Sequence, residues 1–512
     1  MPSENMAPPV GGWNTFDALA DMDPSFAPVM DNMLPEGGAV KVRAGYRTWA
    51  RGMPGPVGGL MVYNSATRFR MFASSRSAIY DVSSPGVVAG PVVSGLSNGR
   101  WDGITIAAAG GQFLLAYNGF DQARQFDGMS WSVWTGSGVD VAVGWANVFK
   151  TQPYVGNAGK MSFYYGVPAA IGGAFVEFPL QGVAKKGGGV CGMQTWTLDG
   201  GQGIDDYAVF FTTEGEVVVY RGTNPSSSTT WALVGTFQMS RPLPGTRFAR
   251  QFGGDVLLLT EGGVFSLRVL LSGVDAGALA SKAYTRRIEP TFLGLTRTRR
   301  AQFGWDLVPL PSYGMWLVNV PRGTGDAEQV AFRAASGAAA RFVALPAACW
   351  IEAKGRAFFG HAADGRVLLW GEDVSDNGAS ITSETVAAFS TFNASGVVKQ
   401  FTLAEPVLDD AAGAAVAIEV ATDWAVPPRV AFLAGPSAPP VALAVDQSIL
   451  IWGIGKWGVG KWAGSTGAVS RGWRGVRGIG QSGAVRLRMS SVSSRPGWLS
   501  TGLVWQSGGP LR

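Results

Sequence analysis

Histidine and cysteine are almost absent from this chain of 512 residues, which contains one histidine and two cysteines. A structural zinc site needs four ligands, mostly Cys or His, and most catalytic zinc sites need two or three His. The histidine is His361. The cysteines, Cys191 and Cys349, lie 158 positions apart, and neither belongs to a Cys-x-x-Cys pair. We therefore expect two free thiols, no metal site and no bound cofactor.

Charged residues and long apolar runs are also scarce. Asp, Glu, Lys and Arg make up 15% of the chain, against roughly 25% in an ordinary soluble protein. Either much of the surface is buried against partners or it is unusually neutral, and we favour contact between subunits. The most apolar stretches, such as 441–455, are interrupted by charge or glycine well before the length of a membrane helix, so we expect no membrane-spanning segment. The N-terminus lacks the basic and apolar regions of a secretory signal.

Glycine is abundant, with 73 residues, and short apolar segments alternate with polar positions along the chain. Residues 207–222, 252–270 and 358–372 each consist of two such segments around a Glu-Gly or Asp-Gly turn. The glycine supplies the positive φ that a hairpin turn needs. The prevailing period is two, as in β-strands, and helical patterns are limited to Asp275–Tyr284 and Phe16–Met22. The sequence therefore predicts an all-β fold.

Comparable hairpins recur through the middle of the chain, near residues 71–84, 113–131, 207–222, 252–270, 313–334 and 357–372. A four-stranded propeller blade takes about 40–50 residues. The spacing predicts a β-propeller-like domain over 61–375 with about six blades, and a stack of β-sandwiches is the competing arrangement. We expect residues 1–60 to form an N-terminal arm and hairpin. Residues 376–512 are expected to form a C-terminal β-sandwich-like domain that is basic at its end.

Motifs for catalysis and nucleotide binding are incomplete. Gly455–Lys461 fits a GxxxxGK pattern, but Trp462 stands where a phosphate-binding loop needs Ser or Thr to hold magnesium. Trp-Asp pairs occur at 101–102 and 305–306, but not at regular blade ends. A glycosidase needs only two facing carboxylates, and adjacent pairs such as 409–410 are more typical of solvated loops. We expect no catalytic residue.

Basic residues are unevenly distributed along the chain. Nine lie between Lys456 and Arg512 with no Asp or Glu among them, so the net charge of +5 divides into +9 in this segment and −4 elsewhere. An acidic partner surface or passing nucleic acid would account for this asymmetry. Arginines that pair and stack at subunit interfaces would account for it equally well. The candidate residues are Arg286, Arg287, Arg297, Arg299, Arg300, Arg471, Arg474, Arg477, Arg486 and Arg488.

The segment from Pro8 to Ala50 carries the most specific pattern, an Asn-x-Leu-Pro element followed by a strand that ends in Arg-x-Gly. This opening resembles that of the tail nozzle (tail tubular protein B) family of short-tailed bacteriophages. The last strands, over 486–512, are also similar to those of the family, and residues 118–131 resemble its first propeller blades. The residues of the N-terminal pattern are Trp13, Asn32, Leu34, Pro35, Gly38, Arg43 and Gly45.

The resemblance implies a structural virion protein rather than an enzyme. Members of this family form a homohexameric ring below the portal and adaptor, the distal tail tube through which DNA is ejected. The implied partners are further copies of the chain, tail adaptor and tail fibre proteins, and genomic DNA in the lumen. Residues 1–60 would then contact neighbouring subunits or the adaptor. Assembly would take place in the host bacterial cytoplasm.

Two other functions remain open from the residues alone. The first is a β-propeller enzyme that degrades polysaccharide, and the second is a carbohydrate-binding adhesin module.

Overall fold

The chain divides into two compact units, each built from separate stretches of sequence. The computed structural model describes residues 2–199, 204–428, 449–450, 461–462 and 469–510. The propeller unit comprises 48–330 and 344–370, and the sandwich unit comprises the residues up to 47, 331–343 and those from 371 onward. The N-terminal residues therefore pack together with C-terminal ones.

In its described residues, the N-terminal stretch contains short strands and no helix. Its strands are β1 (Ser3–Met6), β2 (Gly12–Trp13), β3 (Phe26–Ala27), β4 (Val29–Asp31), β5 (Met33–Glu36), β6 (Ala39–Val42) and β7 (Gly45–Met53). The helical turns expected over Phe16–Met22 are wrong, because this segment forms turns and bends. The Asn14 side chain accepts hydrogen bonds from the backbone N–H groups of Phe16 and Asp17, a local pattern that competes with helix formation.

Four antiparallel sheets follow one another along the propeller unit, each with four strands. Blade 1 contains β8 (Val57–Asn64), β9 (Phe69–Ser75), β10 (Ala78–Asp81) and, after the short β11 (Gly86–Val87), β12 (Pro91–Val93). Blade 2 contains β13 (Asp102–Ala108), β14 (Gly111–Tyr117), β15 (Arg124–Phe126) and β16 (Trp131–Val133). Blade 3 contains β18 (Trp145–Phe149), β19 (Gln152–Gly156), β20 (Ser162–Tyr165) and β22 (Val176–Pro179). The short strands β17 (Gly136–Ser137) and β21 (Gly173–Ala174) pair with each other outside this sheet. Blade 4 contains β23 (Val190–Asp199), β24 (Ile204–Thr212), β25 (Glu216–Gly222) and β26 (Trp231–Gln238).

The second half of the propeller unit includes three helices. Blade 5 contains β27 (Ala249–Phe252), β28 (Asp255–Thr260) and β29 (Gly263–Ser266). The helices are α1 (Leu267–Leu271), α2 (Ala276–Ser281) and α3 (Glu289–Arg299). A further meander is formed by β30 (Asp306–Leu310), β31 (Met315–Pro321) and β32 (Ala327–Arg333), and it is followed by β33 (Ala339–Phe342). Blade 6 contains β34 (Ala347–Ala353), β35 (Arg356–His361), β36 (Gly365–Asp373) and β7.

The helix expected over Asp275–Tyr284 is present as α2, and the Asp275 side chain caps it by accepting from the N–H of Ala278. No helix in the described part of the chain is long and apolar enough to cross a bilayer.

The first strands of these sheets form a closed ring, which defines a β-propeller. Each contacts the next in the order β8, β13, β18, β23, β27, β30, β34 and back to β8. Six blades are separate sheets, and the meander that begins with β30 fills the sector between blades 5 and 6. The all-β, propeller-like fold predicted from the hairpins is thereby confirmed. Strand β7 precedes blade 1 in the chain but supplies the outer strand of blade 6, which closes the ring.

Aromatic side chains fill the spaces between neighbouring blades. Between blades 3 and 4, Phe163 stacks on Phe210 with ring centroids 4.2 Å apart, and Tyr154 stacks on Trp231 at 6.3 Å. Burial of such rings removes roughly 150–250 Å² of surface each and dominates core energetics. The high aromatic content of the sequence is thus used to pack blade against blade.

The sandwich unit contains two large sheets and the separate pair β40-β41. Its remaining strands are β37 (Ile381–Val386), β38 (Val397–Asp409), β39 (Ala415–Thr422), β40 (Ile449–Leu450), β41 (Lys461–Trp462), β42 (Ser470–Arg471), β43 (Arg474–Gly480), β44 (Gly483–Ser491) and β45 (Gly497–Pro510). The first sheet has the order β42-β38-β45-β6-β5, with β43 also paired to β38 and β1 to β45. The second sheet has the order β33-β4-β37-β44-β39 within this unit. Phe401 and Trp505 of the first sheet are buried on the inner side, which confirms the predicted β-sandwich-like domain.

Candidate functional site

The two Trp-Asp pairs of the sequence converge at the centre of the propeller. Asp102 begins β13, Asp306 begins β30, and both carboxylates lie near the guanidinium groups of Arg247 and Arg250. The Arg247 Nε is 3.7 Å from Asp102, and its Nη1 is 3.8 Å from Asp306. Arg250 lies 3.7 and 3.9 Å from the same two carboxylates. We call these four residues the central cluster.

Backbone carbonyls complete the environment of Arg247. Its Nη2 donates to the carbonyl oxygens of Gly58 at 3.2 Å and Trp101 at 3.3 Å. Gly58 belongs to blade 1, and Trp101 directly precedes blade 2. Because Arg247 itself directly precedes blade 5, one side chain connects three blades with the meander that carries Asp306.

The two aspartates of the central cluster differ in pKa. Burial is the largest influence on Asp102, but Arg250, Arg247 and a 2.8 Å hydrogen bond from Thr246 outweigh it, so its pKa lies below the usual value. Burial is also the largest influence on Asp306, and it raises the pKa of this carboxyl to about 6. The Asp102 charge opposes ionisation of Asp306 in addition.

The central cluster is suited to hold the blades together rather than to catalyse a reaction. Both carboxylates are buried beside arginines. A guanidinium group stays protonated in proteins, so neither arginine can act as an acid or a base. A general acid or base must reach its substrate, and Asp306 is 1% exposed. The Trp-Asp dipeptides are the sequence signal for this cluster, although their spacing gave no indication that Arg247 joins them.

The N-terminal motif forms a second buried charged group, in the sandwich unit. Arg43 is 2% exposed and donates five hydrogen bonds, which matches its five N–H groups. Two of them reach the carboxylate of Asp376 at 2.8 and 2.6 Å, and a third reaches the Asn32 Oδ1 at 2.9 Å. The others go to the carbonyls of Ala44 and Val343. We call Asn32, Arg43 and Asp376 the arginine lock.

Other residues of the N-terminal motif support this lock. A side chain at Gly45 would place its Cβ 2.0 Å from the Ser375 carbonyl oxygen, so only glycine fits there. Asn32 adopts a φ of +54° and donates to the Thr382 carbonyl at 2.8 Å. The structure thus brings Asn32, Arg43 and Gly45 together around the chain at 375–382.

The remaining motif positions have separate structural places. Trp13 is buried and donates to the Pro28 carbonyl at 3.1 Å. Leu34 is buried in β5, and the Pro35 carbonyl accepts from Arg333 at 2.8 Å. Gly38 lies in the β5–β6 turn with a φ of +83°.

The first candidate basic cluster lies in and beside α3, on the propeller unit. Arg286 pairs with Glu289, Arg299 with Glu328 at 2.6 Å, and Arg300 with Glu261 at 2.8 Å. Arg287 and Arg297 are exposed. Arg297 and Arg300 also line a groove of about 680 Å³ together with Glu214 and Arg241, which pair at 2.5 Å. Most positive charge in this cluster is thus offset within the unit.

The C-terminal candidate arginines divide into an inner and an outer group. Arg486 is buried and pairs with Glu384 at 2.8 Å and Glu419 at 3.2 Å, and Arg488 pairs with Glu419 at 2.5 Å. The side chain of Arg474 donates to the Val416 carbonyl. These three arginines are therefore used within the sandwich unit.

Arg471 and Arg477 belong to the outer group, on the solvent side of the first sheet. Trp473 and Ile479 alternate with them there and are 50% and 64% exposed. Leu403 of β38 lies on the same side and is 39% exposed. We call these five residues the outer sheet face. Sequence reasoning identified the arginines but not the exposed apolar residues between them.

The lone histidine has a local structural role. The Nδ1 of His361 accepts from the N–H groups of Ala363 and Asp364 in the turn after β35, and burial lowers its pKa. Cys191 and Cys349 are buried free thiols, and burial raises the pKa of each to about 12. Across the residues that the structure describes, no three His, Cys, Asp or Glu side chains are grouped so as to hold a metal ion. Most of the GxxxxGK segment lies outside the described residues.

The strand pairing defines a protein with a β-propeller and an attached β-sandwich. No protein-family model and no curated protein matches the chain. Among solved structures, it is similar to the β-propeller domain of Cps50 (Swd1) from Myceliophteria thermophila, with 11% identity, a TM-score of 0.35, and coverage of 64% of this chain and 99% of that one. It is also similar to Sqt1 from Saccharomyces cerevisiae, with 10% identity, a TM-score of 0.39, and coverage of 67% and 96%. YCF48 from Cyanidioschyzon merolae gives 10% identity, a TM-score of 0.35, and coverage of 64% and 98%. At these TM-scores the likeness carries no argument about function.

Proposed function

We propose that this protein is a structural virion protein of a short-tailed bacteriophage, a subunit of the nozzle ring that forms the distal tail tube for DNA ejection. It associates with copies of itself, with the tail adaptor and with fibre proteins, and it has no catalytic role. The proposal starts from the N-terminal motif and its likeness to the tail nozzle family.

The observation that carries the proposal is the outer sheet face. Trp473 and Ile479 expose half or more of their side chains on an open sheet, beside Arg471 and Arg477. Tryptophan and arginine are enriched where protein surfaces meet and dominate the binding energy there. A surface of this composition, on a chain with only 15% charged residues, supports assembly with other protein subunits.

The buried charged groups agree with a scaffold. The central cluster and the arginine lock each hold charges from distant parts of the chain, and breaking such a pair leaves an uncompensated charge inside the protein. The carboxylates of the central cluster lie against arginines in a buried site. This arrangement favours a rigid support over a polysaccharide-degrading site.

The assembly state of the purified full chain tests this function. We expect rings with six-fold symmetry by negative-stain microscopy, formed alone or on addition of the adaptor protein, and a matching mass by sedimentation velocity. A chain that stays monomeric in both conditions and releases reducing sugar from host surface polysaccharide would contradict the proposal in favour of the enzyme.

A further inference from the structure

The outer sheet face combines apolar and basic groups on an edge of the first sheet. Strand β43 pairs with β38, and no other described strand pairs with it. Its exposed positions alternate, so that Arg477 and Ile479 point to solvent while Val476 is buried. The Trp473 ring lies over Gly502 of β45, where an added Cβ would be 3.3 Å from it. Trp473 thus lies between the two arginines, with Leu403 beside Gly475 on β38 and Ile479 beyond Arg477. The Glu405 side chain of β38 also lies over Gly502, so the face carries one carboxylate near the Trp473 ring.

The second sheet of the same unit carries a surface of opposite charge. Residues 16–24 lie in the connection between β2 and β3, which belong to the edge of the second sheet beside β33. Asp21 and Asp23 are exposed in this segment, and Phe16 is 44% exposed. Met22 is buried and Leu19 packs against the core, so the segment is anchored. Asp17 accepts from the Asn14 side chain, and Asp23 accepts from the N–H of Ser25 but remains exposed. We call residues 16–24 the acidic loop.

We propose that the outer sheet face of one copy binds the acidic loop of the next copy, which makes this contact the lateral joint of the ring. Arg471 and Arg477 would meet Asp21 and Asp23, and Phe16 would pack between the two arginines on Trp473 and Leu403. The inference rests on the proposed nozzle function and names the residues that join its subunits.

The geometry of this contact favours a ring over a symmetric dimer. The two surfaces differ and belong to different sheets of one sandwich. When one such contact leaves the second pair of surfaces free, it is heterologous, so each copy binds one neighbour through each surface and the chain of copies closes into a ring or continues as a filament. A two-fold dimer would have to join both pairs of surfaces at once. A pair of identical surfaces would instead stop at a dimer.

The composition of the face favours a protein partner over DNA. Non-specific DNA binding depends on several Lys or Arg side chains that neutralise phosphates. Here two arginines lie among apolar side chains and near the Glu405 carboxylate, which would repel phosphate. The apolar side chains would stay uncovered against a phosphate backbone but would be buried by Phe16. DNA binding at this face is therefore an alternative outcome of the test.

A charge exchange tests the contact in the full-length protein. Arg477→Glu and Asp21→Lys are made singly and together, and Arg221→Glu, at an exposed arginine of β25, serves as the control for lost positive charge. Each single variant should raise the concentration for half-assembly at least about tenfold, because like charges then face each other. The concentration for half-assembly of the double variant should return to within about threefold of the wild-type value, and that of the control variant should equal the wild-type value. Thermal melts establish that each variant is folded.

Cross-linking provides a measurement that does not depend on the energy of the contact. Cys191 and Cys349 are buried, so cysteines introduced as Asp21→Cys in one copy and Arg477→Cys in another are the accessible thiols. Mixing and mild oxidation should give a covalent dimer of the two variants, whereas either variant alone should stay uncross-linked.

The outcomes separate this inference from the function on which it rests. A wild-type protein that never assembles contradicts both. Wild-type rings that the charge reversals do not weaken, with no cross-link between the cysteine variants, overturn the joint and leave the nozzle function standing. If Arg477→Glu abolishes binding to a 30-base-pair duplex and leaves the rings unchanged, the face contacts DNA and the joint is likewise overturned.

Discussion

Buried charge is the decisive feature at the scale of single residues. Arg43 makes as many hydrogen bonds as it has N–H groups, and its charge is neutralised by Asp376. The resemblance in the sequence identified Arg43, Asn32 and Gly45 as a motif, but not what they do. Their partner Asp376 lies 333 positions away along the chain, and no local period or spacing indicates a contact over that distance.

Replacing Arg43 should be far more damaging than replacing an exposed arginine of the same unit. Arg43→Ala leaves the carboxylate of Asp376 buried without its cation, so we expect a loss of about 3–5 kcal/mol in the free energy of unfolding. Arg47→Ala removes an ion pair with Glu372 in which Arg47 is 50% exposed, and it should cost less than about 1 kcal/mol. Urea unfolding of both variants measures the difference, and equal losses would contradict the lock.

At the scale of elements, turn chemistry made the hairpins predictable. Gly215 has a φ of +83° in the turn between β24 and β25, as the Thr-Glu-Gly sequence predicts. The closing strand β7 was not predictable, because its pairing with β36 joins residues about 300 positions apart, and the expectation for 1–60 was an arm and hairpin. Helix α3 was missed because its buried residues are few, Phe292 and Thr296 among them, so it has no clear apolar period.

The closing strand should be sensitive to a single methyl group. A Cβ at Gly365 of β36 would lie 1.8 Å from the Met53 carbonyl oxygen of β7, so Gly365→Ala must push the two strands apart. We expect a loss of about 1–3 kcal/mol and faster trypsin cleavage after the exposed Arg51. Gly90→Ala is the control, because nothing lies within 4 Å of its Cβ. Identical stability and cleavage rates for the two variants would show that β7 is not tightly packed.

At the scale of the whole molecule, each unit is assembled from distant segments. Composition along the chain suggested boundaries near 60 and 375, which divide the chain into consecutive pieces. The compact units instead combine the first 47 residues with those from 371 onward. Local composition indicates where the residue types change along the chain. It contains no information about which distant strands pair with each other. Contacts such as the central cluster, which links several blades, arise only once the ring has closed.

The central cluster should give the propeller a characteristic response to pH. The pKa of Asp306 is about 6 in the folded chain against 3.8 for an ordinary Asp. Between these values the folded state retains a proton that the unfolded state has lost, so the free energy of unfolding falls as the pH rises from about 4 to 6. The difference corresponds to roughly 3 kcal/mol. Asp102, with its lowered pKa, is ionised throughout this range.

Asp306→Asn replaces the titrating carboxyl with a neutral amide. Comparison with the wild type therefore isolates the contribution of Asp306 to the pH dependence of stability. Other groups titrate alike in both proteins and cancel in the comparison. Urea unfolding at pH 4, 5, 6 and 7 should therefore show the wild type losing stability relative to Asp306→Asn as the pH rises, with the change complete just above pH 6. A difference between the two proteins that stays constant from pH 4 to 7 would mean that Asp306 is as acidic as an exposed carboxyl. Arg247 and Arg250 would then offset the burial of Asp306 completely, and the blades would be joined by two full ion pairs from about pH 5 to pH 7.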